Sequence, residues 1–169
     1  GLQKEAKKLG VNVYLIQDLE VDYTKTHESA AMGGAPKSVF DTNTPDDVLR
    51  VGDKYELPSN KVEKETIVLI AWPKGNHKKL MEFGAKNGLS LTTPHVPFAL
   101  GEKFPDLNLD LMPGDQCVLV QETTGCIFKN VLHFCYIFWN EDRRCGLIPS
   151  DDLRIHKGGD WYAFKKVIL

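Results

Sequence analysis

The sequence predicts a mainly β protein: two small β-barrels in tandem, residues 1–94 and 95–169, with one short helix inserted at about 78–87 and another at the N-terminus. Three observations predict it. β-branched and aromatic residues dominate the strongest elements, "ETIVLIAW" (65–72) and "VLHFCYIFW" (131–139). A Gly-Asp turn occurs twice, in "VLRVGDKYEL" (48–57) and "DLMPGDQCVL" (110–119), with apolar residues two and four positions after each Asp. Each turn leads to an apolar run and then to a Gly-Leu pair, Gly88-Leu89 and Gly146-Leu147, an offset of about 60 residues that suits a duplicated unit.

The elements follow in order. "LQKEAKKLG" (2–10) reads as a short polar helix stopped by Gly10. In "VNVYLIQDLEVDY" (11–23) the alternation of Val11, Val13 and Leu15 signals a strand. Residues 24–47 are rich in small residues, Gly and Pro, and read as a long loop with an extended piece at "KSVF" (37–40). "VLRVGDKYELPSN" (48–60) places its Gly-Asp turn between two short extended segments, stopped by Pro58. "ETIVLIAW" is continuous enough to be a strand buried on both faces. "HKKLMEFGAKNG" (77–88) is helical, with Leu80, Met81 and Phe83 apolar and Gly88 placed to cap it.

Three prolines punctuate "LTTPHVPFALGEKFPDL" (91–107), which reads as loop with brief strands. "LDLMPGDQCVLVQ" (109–121) repeats the turn between extended pieces, and "VLHFCYIFW" is a second buried strand. "GLIPSDDLRI" (146–155) ends the module: Gly146 permits close approach after a hairpin, Leu147 and Leu153 suit a core, and Pro149 blocks further ladder pairing. The tail "DWYAFKKVIL" (160–169) is apolar enough to require a surface to dock on.

Composition narrows the function. Lys and Arg number 21 against 23 Asp and Glu, a net charge of −2, so the basic excess expected of a polyanion binder is missing and nucleic acid is an unlikely partner. A hydrophobic content of 42% is too high for a disordered chain. No apolar stretch approaches the ~18 residues of a membrane span. No signal peptide is visible, and a chain starting at Gly1 is expected to come from a longer one. Cys117, Cys126, Cys135 and Cys145 include no C-x-x-C pair, which leaves a zinc site weakly supported. An even count permits two disulfides in a secreted protein, but with no secretory signal reduced thiols in a cytoplasmic protein are expected, with Cys117 and Cys135 buried in strands. The oligomeric state is left open.

Residues 97–155 resemble a Src-homology-3 domain. "PDLNLDLMPGDQCVLV" (105–120) supplies that family's apolar segment and diverging turn, and "GLIPSDDL" (146–153) resembles its "GLIPSNYV"-type close. The resemblance implies a barrel with a groove for a proline-rich ligand, lined by aromatics and flanked by acids. Carried over residue by residue, the groove aromatic falls at Phe134 or Tyr136, Pro149 matches outright, Asp152 replaces the closing Tyr, and Glu102 and Asp106 are the acidic flank. The family's early tyrosines fall within "PFALG" (97–101), which has none, so an atypical peptide or a folded partner is expected in place of a standard proline-rich ligand. With Trp139 added, the expected ligand-binding set is Phe134, Tyr136, Trp139, Pro149, Glu102, Asp106 and Asp152. A second resemblance is to the CABIT domain of Themis-like adaptors: "PGDQCVLV", "LHFCYIF", "LIP", "GGDW" and "YAFKKVIL" occur in that family's order across 113–169, with Cys135 as the core cysteine. It implies a structural unit that regulates a partner enzyme.

Catalytic motifs are thin. His133 and Cys135 share a strand face and form a conceivable dyad, which leaves a Cys/His hydrolase as a remote alternative. Cys135, Cys145, His133 and His156 form a conceivable but weakly supported zinc set. Lys74, His77, Lys78, Lys79 and Lys86 make a small basic cluster that reads as a solvated helix face. No phosphate-loop pattern is present. The expectation is a non-catalytic interaction module of an adaptor or scaffold protein in signalling, with no catalytic residue, metal or cofactor and with a protein or peptide partner.

Overall fold

The structure, a computed structural model, describes residues 1–36, 47–73, 75–114, 117–139, 142–152, 154 and 159–167. Among them the chain runs α1 (Leu2–Leu9), β1 (Val13–Asp22), α2 (His27–Gly34), α3 (Asp47–Arg50), a 3-10 turn (Gly52–Lys54), β2 (Val62–Ala71), α4 (His77–Lys86), β3 (Leu89–Leu91), α5 (His95–Lys103), α6 (Leu107–Leu111), β4 (Val118–Gln121), β5 (Cys126–Phe128), β6 (Val131–Trp139), β7 (Arg143–Pro149) and β8 (Asp160–Lys166). The eight strands form one sheet in the order β1-β2-β8-β4-β6-β5, with β3 beside β8 and β7 beside β6. All pairs are antiparallel except β4 with β8.

The expected mainly β pair of Src-homology-3-like barrels is therefore wrong. The described residues hold six α-helices, and their strands make a single open, mixed sheet. The physical reason is the tail. Expected as a docked appendage, residues 160–166 instead form β8 in the sheet's interior, pairing Val68 with Phe164 on one side and Val120 with Trp161 on the other. A strand shared in this way leaves neither half free to close on itself. The supposed repeat also dissolves: 48–57 holds α3 and the 3-10 turn, whereas 110–119 ends α6 and starts β4. The two expected helices are present as α1 and α4, with Gly10 at φ 69 and Gly88 at φ 70 after their ends.

Both faces of the sheet are covered, which explains the uninterrupted apolar runs. Ile67 and Leu69 point into the larger core with α2, α3, α5 and α6, while Val68 and Ile70 point the other way, to Ala6 of α1 and Leu80 and Phe83 of α4. β6 divides likewise. Cys135, Ile137 and Trp139 join the larger core, and Phe134, Tyr136 and Phe138 form a third cluster with Leu119 and Ile148.

Two segments read as loop are helical. α5 carries Pro97 in its first turn, where backbone N–H groups have no intrahelical acceptor and the missing donor costs little. α2 is capped by Thr26, whose hydroxyl accepts from Ser29 N at 3.1 Å. Its terminal glycines allow close contact with α5: a β-carbon on Gly34 would lie 2.9 Å from Phe98 O. "KSVF", Lys74, Asp115, Leu153 and His156 lie outside the described residues.

Candidate functional site

A half-open cleft of about 240 Å³ lies where the edge strand β1 meets α2 and α5. It is lined by Glu20 and Asp22 of β1, Lys25 ahead of α2, Val62 of β2, and His95, Phe98 and Glu102 of α5, among others. A bulge in β1 shapes one wall. The register with β2 shifts between Ile16 and Leu19, with Asp18 at φ 55, so Ile16, Leu19 and Val21 can all face the core.

His95 is the most buried polar residue lining the cleft, 3% exposed. Its Nε2 lies 2.9 Å from Lys25 O. A carbonyl only accepts, so Nε2 carries the proton and Nδ1 is a bare lone pair. Nδ1 is buried and has no hydrogen-bond partner among the described residues. Burial pulls the imidazole pKa below its ordinary value, against the opposing effects of the Lys25 carbonyl and Asp22. The ring of Tyr23 lies 5.7 Å away, tilted by 32°. His27 is held in the same manner, its Nε2 donating to Val48 O at 2.6 Å, and burial lowers its pKa as well.

The charges of the cleft are partly tied up. Glu102 binds Lys25 at 3.0 Å and Lys103 at 3.7 Å, so one carboxylate serves both ammonium groups. Gly33 makes room for this, because a β-carbon there would overlap Glu102 Oε2. Asp22 Oδ1 accepts from Thr24 Oγ1 at 2.5 Å and Thr24 N at 2.9 Å, and these two bonds hold its carboxyl below the usual range. Its Oδ2 accepts none among the described residues.

The expected ligand-binding residues do not gather there, with one exception. Phe134 and Tyr136 are 2% and 3% exposed on one face of β6, and Trp139 is buried on the other, its indole N–H donating to Pro105 O at 2.8 Å. Pro149 is half-buried opposite His133, Asp106 is exposed just ahead of α6, and Asp152 pairs with Arg154 at 2.7 Å. Only Glu102 lies in the cleft. His95 was not singled out by the sequence; its signal was a histidine directly after Pro94, at what proves to be a helix start.

The chain matches no family model, no curated protein and no solved structure.

A second polar cluster is sealed in the core. Glu122 accepts from Tyr55 Oη at 2.5 Å, Gly125 N at 2.6 Å and Cys135 N at 2.9 Å. Cys135 Sγ lies 3.7 Å from Tyr55 Oη, and burial pushes the Cys135, Cys126 and Cys145 thiols up, the last to about 12. Thiols so placed are poor nucleophiles. His133 donates Nδ1–H to Val131 O at 2.8 Å, away from Cys135. All four cysteines are free, and among the described residues no group of His, Cys, Asp and Glu is arranged to hold a metal. No helix of the described residues is long and apolar enough to cross a membrane.

Proposed function

We propose that the chain is a non-catalytic interaction module that reads a protein or peptide partner through the β1–α5 cleft. The observation that carries this reading is His95, a residue lining that cleft whose Nδ1 is buried and unpartnered among the described residues. An acceptor desolvated and left unmade costs about 1–3 kcal/mol, which a donor on a bound group would recover. Size sets the scale of that group. About 240 Å³ is below the roughly 300–1,000 Å³ of sites for drug-sized ligands, and fits one side-chain head with its stem.

Two features favour binding over turnover. Neither His27 nor His95 is hydrogen-bonded to a hydroxyl or thiol among the described residues; both orient on backbone carbonyls. Cys126, Cys135 and Cys145 sit in the core with raised pKa values, which counts against a Cys/His hydrolase built on Cys135.

The test is an amide-shift titration of the ¹⁵N-labelled chain with three short-peptide pools: basic, acidic and proline-rich. The reading expects saturable shifts at 20–25 and 95–103 from one pool. Saturable shifts confined to 134–139 and 149 would return the site to the β6–β7 region, and no saturable shift from any pool would overturn the reading.

A further inference from the structure

We propose that the β1–α5 cleft takes the guanidinium of an arginine side chain. This rests on the interaction reading above and names the chemistry of its ligand. Four observations carry it.

The first is the direction of the hydrogen bonds. With Nε2–H committed to Lys25 O, the one uncommitted polar atom of the lining residue His95 is the buried lone pair of Nδ1, and the unoccupied Oδ2 of Asp22 is a second acceptor. A ligand that satisfies these two acceptors must therefore bring donors. The second is charge. The lining holds three carboxylates, Glu20, Asp22 and Glu102, against the ammonium groups of Lys25 and Lys103, a surplus of one negative charge with His95 neutral. Glu102 and the two lysines it holds sum to one positive charge, against the two negative charges of Asp22 and Glu20, so the surplus sits on β1.

The third is the apolar wall. Val62, Ala30, Phe98 and Ala99 complete the lining, a surface for a methylene stem beside the polar floor. The fourth is the shape of the donor set. One acceptor is a single imidazole nitrogen and the other a carboxylate on a different element. A planar fork with five N–H donors can address both at once, whereas an ammonium group is a compact point charge on a strongly hydrated head. A guanidinium also stays protonated next to a desolvated imidazole, where a lysine amine can lose its charge.

The ligands tested are pentapeptides Gly-Gly-X-Gly-Gly with X as arginine, citrulline, lysine or glutamate, titrated into the labelled chain while the amides of 20–25 and 95–103 and the imidazole ¹⁵N of His95 are recorded. The arginine peptide is expected to bind with a shift of the His95 Nδ1 resonance. Citrulline, its neutral isostere, is expected to bind about tenfold or more weakly, and Asp22→Asn to weaken arginine binding to a similar degree. Asp22 is only partly buried at the end of β1, so this substitution leaves the core intact; His95→Gln, which keeps an acceptor, serves as the second variant and is expected to retain more binding than His95→Leu. Equal affinity for citrulline, equal affinity for lysine, or tighter binding of glutamate would each overturn the guanidinium assignment. A peptide pool that shifts the cleft while the arginine peptide does not would sink this assignment and leave the interaction reading standing. Silence from every peptide would remove both.

Discussion

Glu122 has no exposed surface, and both of its oxygens already accept hydrogen bonds from Tyr55, Gly125 and Cys135. Burial raises its pKa from 4.5 to about 7, more than those bonds lower it. Between pH 4.5 and 7 the unfolded chain sheds this proton while the folded chain keeps it. Glu122 thus makes stability fall as pH rises through that window, by at most about 1.4 kcal/mol per pH unit, and adds no slope above it. Glu122→Gln removes the proton and turns an NH₂ toward a backbone donor, at a cost of about 1–3 kcal/mol near pH 5. Urea midpoints of both proteins from pH 5 to 8 should converge as pH rises; parallel curves would refute the assignment. The segment "QETTG" gives little hint of this at the sequence level, since an acid before two threonines and a glycine reads as an exposed turn. The buried, reduced state of Cys135 was legible in "VLHFCYIFW". The roles of its neighbours were not, because Tyr55 and Glu122 come from distant segments.

Elements were legible where one period dominated. β1, β2, β6, α1 and α4 all have an apolar pattern or a glycine stop that local physics dictates. α2 and α5 were missed because their glycines and prolines act through tertiary contact and helix-start geometry, neither of which composition displays. Their contact makes a pair of contrasting predictions. Gly34→Ala drives a methyl to within 2.8 Å of Ile137 Cδ1 and 2.9 Å of the Phe98 carbonyl, which is backbone and cannot swing aside. It is expected to cost about 1–3 kcal/mol by urea denaturation. Gly33→Ala meets only the end of the Glu102 side chain, which can rotate away, so stability should change by less than about 1 kcal/mol. The rotation frees Lys25 beside Asp22, and arginine-peptide affinity should drop; an unchanged affinity would mean that the Lys25–Glu102 pair does not set the charge of the cleft. The aromatic residues of β6 were placed on one groove at the sequence level, although an odd spacing separates Trp139 from Phe134 and Tyr136. Period two sends them to opposite faces.

At the scale of the molecule, the double-barrel expectation treated the chain as two local units. The sheet is instead assembled from segments far apart in sequence, Val68 with Phe164 and Gln121 with Tyr162, and no local pattern encodes such pairings. β8 carries the heaviest burden. Phe164 is 1% exposed and lies against Gly84 of α4, where an added β-carbon would come within 2.6 Å of its ring. Phe164→Ala should lower stability by about 3–5 kcal/mol. Truncation before Asp160 should abolish the cooperative transition altogether, read as loss of near-ultraviolet circular dichroism; a surviving sharp transition would show that β8 is dispensable. The interior place of β8 also has a consequence in time. On a ribosome, β1 with β2 emerge long before the strand that joins them to β4 and β6, and the facing edges stay open until residues 160–166 have left the tunnel. Synthesis must therefore run nearly to the end of this stretch before the two sides of the sheet are stitched together, and a stalled or clipped chain would carry two bare strand edges ready to pair with a neighbour.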